Sequence, residues 1–298
     1  AFTIRLVAGL IGTKGIIPYT TDAELDAWSA DIFREFHEDN NPNFLPFVGK
    51  LGRSIRNGLI AAKRAIFSRS LRQMPAPLPA EITFLGVWDT VAAYGGPSAE
   101  ITRAIDNFIW PLTMTDQILC DGVQVARHAL ALDDERDSFQ PIPWDELAGA
   151  QRADAARNEH QAILQRAHAT DDKTARELLL AVAARHAARE QFYRNRMQQV
   201  WFAGMHSDVG GGYPDESLSY VSLLWMMAEA QKAGLRLIPD HIRWVNELSN
   251  SLGPIHNSRK GLASYYRYQP RKIAAFMHAE SDSDTYQHTR IMRDPVLG

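Results

Sequence analysis

The sequence predicts an α/β fold built on a mostly parallel sheet, and three observations carry that reading. Ile82-Thr83-Phe84-Leu85-Gly86-Val87-Trp88 and Val200-Trp201-Phe202-Ala203 are near-continuous apolar runs of strand length. A strand buried on both faces of a parallel sheet requires such runs. Stretches with helical spacing lie before, between and after them, and strands alternating with helices favour parallel pairing. Each run also ends abruptly in polar residues, Asp89-Thr90 after the first and Gly204-Met205-His206-Ser207-Asp208 after the second.

The elements follow in order. Phe2, Leu6, Val7, Leu10 and Ile11 recur at helical spacing, with Gly12, Gly15 and Pro18 as stop signals. A second helix is expected from about Asp22 to Glu38, with Thr21 as its cap. Residues 42–75 carry Lys50, Arg53, Arg56, Lys63, Arg64, Arg69 and Arg72, interleaved with Phe47, Leu51, Ile55, Leu59, Ile66 and Phe67. That pattern reads first as a solvated helical insertion packed on the domain, with a basic amphipathic surface for anionic lipid or a partner as the alternative. Pro75-Ala76-Pro77-Leu78-Pro79 is a stiff connector into the first strand. From Thr113 to Leu132 helical spacing returns, closed by Asp133-Asp134-Glu135-Arg136. Residues 145–198, rich in Ala, Arg, Glu and Gln, read as two helices broken near Thr170-Asp171-Asp172, either a lid or a solvent-facing hairpin. Ser219 to Lys232 is a strongly apolar helix with Gly234 as its stop. An aromatic and basic patch follows at Tyr265-Tyr266-Arg267-Tyr268-Gln269-Pro270-Arg271.

Bulk properties narrow the classes. The 298 residues, 45% hydrophobic and 22% charged, suit one globular domain over 1–298 with insertions near 42–75 and 145–198. A net charge of −3 gives no whole-molecule attraction to nucleic acid. The single cysteine, Cys120, makes no internal disulfide and no cysteine-based zinc site. No apolar run approaches the length of a membrane span, and no cofactor is implied.

Chemistry concentrates at the two strand ends. Ligands of open α/β sheets bind outside the carboxyl ends of strands, so Asp89 and His206 can meet there although 117 positions separate them. An acid followed by a histidine is also the order of the last two triad members in α/β-hydrolases. Histidine titrates near neutrality and can take and return a proton, while a buried carboxylate fixes its tautomer. Alone, Asp89 is more often a turn or helix-capping residue and His206 more often a satisfied structural histidine. Gly210-Gly211-Gly212 allows close backbone approach or positive φ, and its amides could form an anion nest. A metal site from Asp89, His206 and Asp208 is a further alternative.

Two long stretches carry a resemblance: Gly86-Val87-Trp88-Asp89-Thr90-Val91, and Trp201-Phe202-Ala203-Gly204-Met205-His206-Ser207-Asp208-Val209-Gly210-Gly211-Gly212-Tyr213. Arg127 to Asp133 and Tyr266 to Arg271 support them. Together they resemble the uncharacterised α/β-hydrolase domain family that includes type VI secretion phospholipase effectors. The resemblance implies an α/β-hydrolase-like sheet and a serine-type lipase or phospholipase. It gives Asp89 the role of acid and His206 that of base. Asp208, Ser207, Gly210 and Gly211 are secondary or loop-organising, with Asp208 a rival for the acid. The family's elbow, Gly-x-Ser-x-Gly, occurs nowhere in this chain. In the family it precedes a helix beginning Ala-aromatic-Thr, as Ala1-Phe2-Thr3 does here. The nucleophile and the earlier strands are therefore expected upstream of Ala1, the chain alone is expected to be inactive, and the sheet is expected to expose an edge.

The implied partners are a lipid or other ester, a peripheral membrane contact through residues 50–72, and an immunity or secretion partner. The implied route is synthesis in the cytoplasm and delivery to a target cell or periplasm, without a transmembrane span. The competing reading is a non-catalytic interaction module or degenerate hydrolase fragment, in which Asp89 and His206 do not meet.

Overall fold

A computed structural model describes residues 1–40, 74–91, 117–260, 267–271, 273 and 289–292. Its centre is a four-stranded sheet of β1 (Ile82–Trp88), β2 (Val123–Ala131), β3 (Met197–Phe202) and β4 (Thr289–Met292), in that order. Every pairing is parallel, with Phe84 beside Val125, Leu130 beside Trp201 and Phe202 beside Met292. β1 has no further strand partner among the described residues and forms one edge. The basic stretch 50–72 lies outside the described residues.

Helices cover both faces. On one, α1 (Phe2–Lys14) packs Ala8 against Leu85, Val87, Val123, Ala126 and Trp144. On the other, α6 (Ser217–Lys232) brings Val221, Trp225 and Met226 onto Ala129, Ala131, Val200 and Phe202. Burying apolar surface on both faces explains why β1 and β3 read as apolar runs and not as alternating strands. The other α-helices among the described residues are α2 (Asp22–Asn40), α3 (Glu146–His168), α4 (Lys173–Asn195), the short α5 (His206–Gly210) and α7 (Pro239–Leu248). Asp145 caps α3 by accepting from the Ala148 amide, and Asp172 caps α4 by accepting from Thr174, 2.8 Å away. These caps fix the break read at 170–172. α3 and α4 pair as a hairpin: His160 Nδ1 meets the Ala183 carbonyl at 2.8 Å, and the His186 ring lies 2.7 Å from the Glu159 carboxylate. α6 ends with Gly234 at φ 99, the Leu235 amide donating to Ala230 O and the Gly234 amide to Gln231 O. That is a Schellman closure.

Two expectations are corrected. The helical reading of Thr113 to Leu132 fails where the chain is described, because Val123–Ala131 is a strand. Its alanines favour a helix in isolation, but hydrogen-bonded neighbours on both sides and burial on both faces override that preference. Gly12 does not stop α1, which runs to Lys14 and ends at Gly15, φ 78. Gly12 instead lets the helix approach the turn before β2. A Cβ on Gly122 would lie 2.6 Å from the Gly12 Cα.

Candidate functional site

The carboxyl ends of β1, β2 and β3 lie side by side, the place of the ligand crevice in open α/β sheets. The Asp89 amide donates to Ala129 O (2.6 Å), and the Asp133 amide to Gly204 O (3.0 Å). Asp89 therefore sits where β1 stops, beside the end of β2, with φ 34, a left-handed value that is uncommon outside glycine. Its side chain is fully buried and every acceptor direction is used. Oδ1 accepts from the Ala131 amide (2.9 Å) and Arg271 Nη1 (2.6 Å). Oδ2 accepts from Arg271 Nη2 (2.7 Å) and faces His206 Nδ1 at 2.7 Å. Burial raises the carboxyl's proton affinity, but the hydrogen bonds from Arg271 and His206 outweigh it and hold its pKa at about 2.

His206 opens α5 directly after β3. Its amide donates to Asp134 Oδ2 (3.1 Å), and the edge of its ring meets Phe139 at 5.3 Å. Asp134 is held in turn by Arg136, 2.7 Å away, whose guanidinium covers the Phe139 ring. The residue is thus fixed at its backbone, by the Phe139 ring and at Nδ1, while its side chain keeps 31% exposure. With Nδ1–H donated to Asp89, Nε2 is the nitrogen left to accept a proton.

Asp208 makes a different pair. Its Oδ2 accepts from the Met205 amide (2.9 Å) and the His256 amide (3.1 Å), while Oδ1 lies 2.6 Å from His256 Nδ1. Tyr213 stacks on the His256 ring at 4.1 Å. Asp208 thus closes the first turn of α5 and ties it to the 256 loop, and it is Asp89 that meets the His206 ring. Among the described residues no group of three or more His, Cys, Asp or Glu side chains is placed to hold a metal ion. The glycine run does not form an open anion nest. The Gly211 amide donates to Ser207 O and the Gly212 amide to Glu216 Oε1. Gly210 and Gly211 instead pass the chain past Trp88 and turn it at φ 86. Ser207 contributes its carbonyl to that closure.

Four residues at this site went unassigned in the sequence. Asp134, His128, His256 and Arg271 all touch it. His128 is fully buried on β2. Its Nε2 accepts from the Thr90 amide (3.0 Å), and its Nδ1 donates to Gln199 Oε1 (3.1 Å). Gln199 continues to the Trp144 carbonyl and to Glu146 Oε1. Burial pushes the His128 pKa down to about 3, so this ring is a neutral brace for the Asp89-Thr90 turn. α1 adds Arg5, buried over the Trp144 ring and donating to the Ile142 carbonyl. The Ile142 amide donates to Thr90 O, which brings the first turn of α1 to the same corner.

Residues 1–229 match the family model described as "T6SS, Phospholipase effector Tle1-like, catalytic domain". The chain belongs to this family. The match spans α1, the sheet through β3, and both Asp89 and His206, so a phospholipase-effector catalytic domain supplies the frame in which the crevice is read. A curated relative, "Uncharacterized protein YEL023C" of Saccharomyces cerevisiae, is 43% identical over 62 residues, covering 19% of this chain and 9% of the relative. The chain therefore spans less than a tenth of that protein. No solved structure matches. No described helix is long and apolar enough to cross a membrane.

Proposed function

We propose that this chain carries the acid and the base of a serine-type ester hydrolase with an α/β-hydrolase-like fold, acting on membrane phospholipid. The observation that supports this most is the 2.7 Å contact between His206 Nδ1 and the buried, ionised Asp89, which brings together the carboxyl ends of β1 and β3 across β2. A serine hydroxyl is a weak nucleophile and needs such a base. His206 Nε2 takes the serine proton during attack on the acyl carbon and returns it to the departing alcohol. Asp89 holds the ring in the Nδ1–H tautomer and stabilises the imidazolium that forms. Asp208 organises the loop that carries His206. The serine is supplied by a Gly-x-Ser-x-Gly elbow preceding Ala1, and the first turn of α1, tied through Arg5 and Ile142 to the Asp89 corner, sets where it arrives.

The remaining assignments belong to the same reading. Residues near 42–75 and 145–198 are insertions, and residues 50–72 within the first make a peripheral contact with anionic lipid. Delivery is into a target cell, with an immunity partner that blocks the crevice. A non-catalytic module would have no need for an aspartate at φ 34 held against a partly exposed histidine, and the pairing favours the hydrolase.

The test is release of fatty acid from phospholipid vesicles by protein that includes the upstream elbow. Turnover that disappears when the elbow serine becomes alanine is expected. Failure to hydrolyse any phospholipid or simple ester overturns the reading.

A further inference from the structure

Asp89 has a problem that its pairing with His206 does not solve. A carboxylate withdrawn from water beside a neutral imidazole is a buried charge without a counter-ion. Such a group takes up a proton or turns away. Its backbone lies at φ 34, an uncommon conformation that the surrounding contacts must hold. Arg271 meets both needs. Its two terminal nitrogens grip the two carboxylate oxygens at 2.6 and 2.7 Å, and both side chains are fully enclosed. The planar fork fixes the carboxylate's plane as well as its charge, which a lysine ammonium cannot do. Arg271 is itself anchored by the Ala131 carbonyl at the end of β2 and by the Phe139 carbonyl, 2.8 Å away. Phe139 is the residue whose ring lies against His206. One guanidinium thus joins the ends of β1 and β2 to the wall of the histidine.

We propose that Arg271 is the positioning residue for Asp89: it keeps the carboxylate ionised and turns Oδ2 toward His206 Nδ1. It arrives from 182 positions downstream and lies beyond the 1–229 family match. Arg271 is therefore part of the site although it follows α7 and the family match. The role of Asp89 as acid rests on the hydrolase reading, but the clamp is a property of the folded chain and needs no turnover to test.

The experiment is proton and nitrogen NMR on the full chain. The His206 Nδ1 proton held against Asp89 gives a low-field imidazole resonance, assigned by its loss in His206→Gln. Arg271→Met is expected to abolish or strongly shift that resonance while the dispersed spectrum of the fold remains. Arg271→Lys, which keeps charge without the fork, is expected to retain it weakened. A folded Arg271→Met variant with the resonance unchanged overturns the proposal. In case the methionine variant does not fold, the wild-type chain carries a second test. Arg271 terminal NH groups are expected as separate, slowly exchanging signals with contacts to Asp89, and a single averaged guanidinium signal overturns the proposal. If vesicle hydrolysis fails while these signals appear, the hydrolase reading falls and the clamp stands.

Discussion

At the residue scale the two carboxylates of the crevice differ in what they hold, and so in what their loss should do. Asp89 faces the His206 ring, whereas Asp208 closes the first turn of α5 and anchors His256. Asp208→Ala leaves the Met205 and His256 amides without their acceptor in a buried place. The cost of such orphaned donors is about 1–3 kcal/mol. Urea unfolding of Asp208→Ala should show a midpoint lowered accordingly, and unchanged stability would contradict the structural role. Of these contacts the sequence showed the local part. His206 and Asp208 stand two residues apart after an apolar run, which marks a strand end. His256 and Arg271 reach the same crevice from 48 and 182 positions away. No periodicity records a contact of that kind.

At the element scale the close crossing of α1 over the turn before β2 sets where the first turn of α1 meets the Asp89 corner. Gly12 and Gly122 make that crossing possible, since a Cβ on Gly122 falls 2.6 Å from backbone. Gly122→Ala should therefore push α1 outward and destabilise the fold by about 1–3 kcal/mol, the usual cost of overpacking. Thermal unfolding measures this, and a neutral substitution would show that the helix shifts freely. The same region explains why β2 was hidden. Val-Gln-Val-Ala-Arg-His-Ala-Leu-Ala has helical spacing and helix-favouring alanines, while β1 and the second half of β3 announce themselves by near-continuous apolar runs. Read as a helix, β2 offered no strand end, so Asp134 just beyond it stayed out of view, although the rule that located Asp89 and His206 applies to it equally. The α3–α4 hairpin was legible because its break coincides with a capping aspartate, Asp172.

At the scale of the whole molecule, buried ionisable groups make stability depend on pH. His128 has a folded pKa of about 3, below its ordinary 6.5, so between those values the unfolded chain binds a proton that the folded chain refuses. Its contribution is complete above pH 6.5 and is lost as pH falls toward 3, at up to about 1.4 kcal/mol per pH unit. Asp89, held at about 2 against an ordinary 3.8, adds stability that is present above 3.8 and lost as pH falls through 2. Unfolding free energy should therefore decline steadily on acidification, and His128→Gln should flatten the decline between pH 6.5 and 3. An identical slope in the variant would contradict the neutral-brace assignment. Two networks, one through His128 and Gln199 to Glu146 at the start of α3 and one through Arg271, hold the Asp89 turn from distant parts of the chain.

The central claim is that Asp89 and His206 work as one acid–base unit on a phospholipid ester. The most direct measurement is kcat for vesicle hydrolysis by the elbow-bearing protein and its Asp89→Asn and His206→Gln variants. An amide at Asp89 keeps the shape but favours the wrong tautomer, and in serine hydrolases that change costs about 10⁴-fold. Both single variants should lose roughly 10³- to 10⁴-fold or more, and the double variant should lose little beyond the worse single one. Retention of wild-type turnover by either variant would contradict the account.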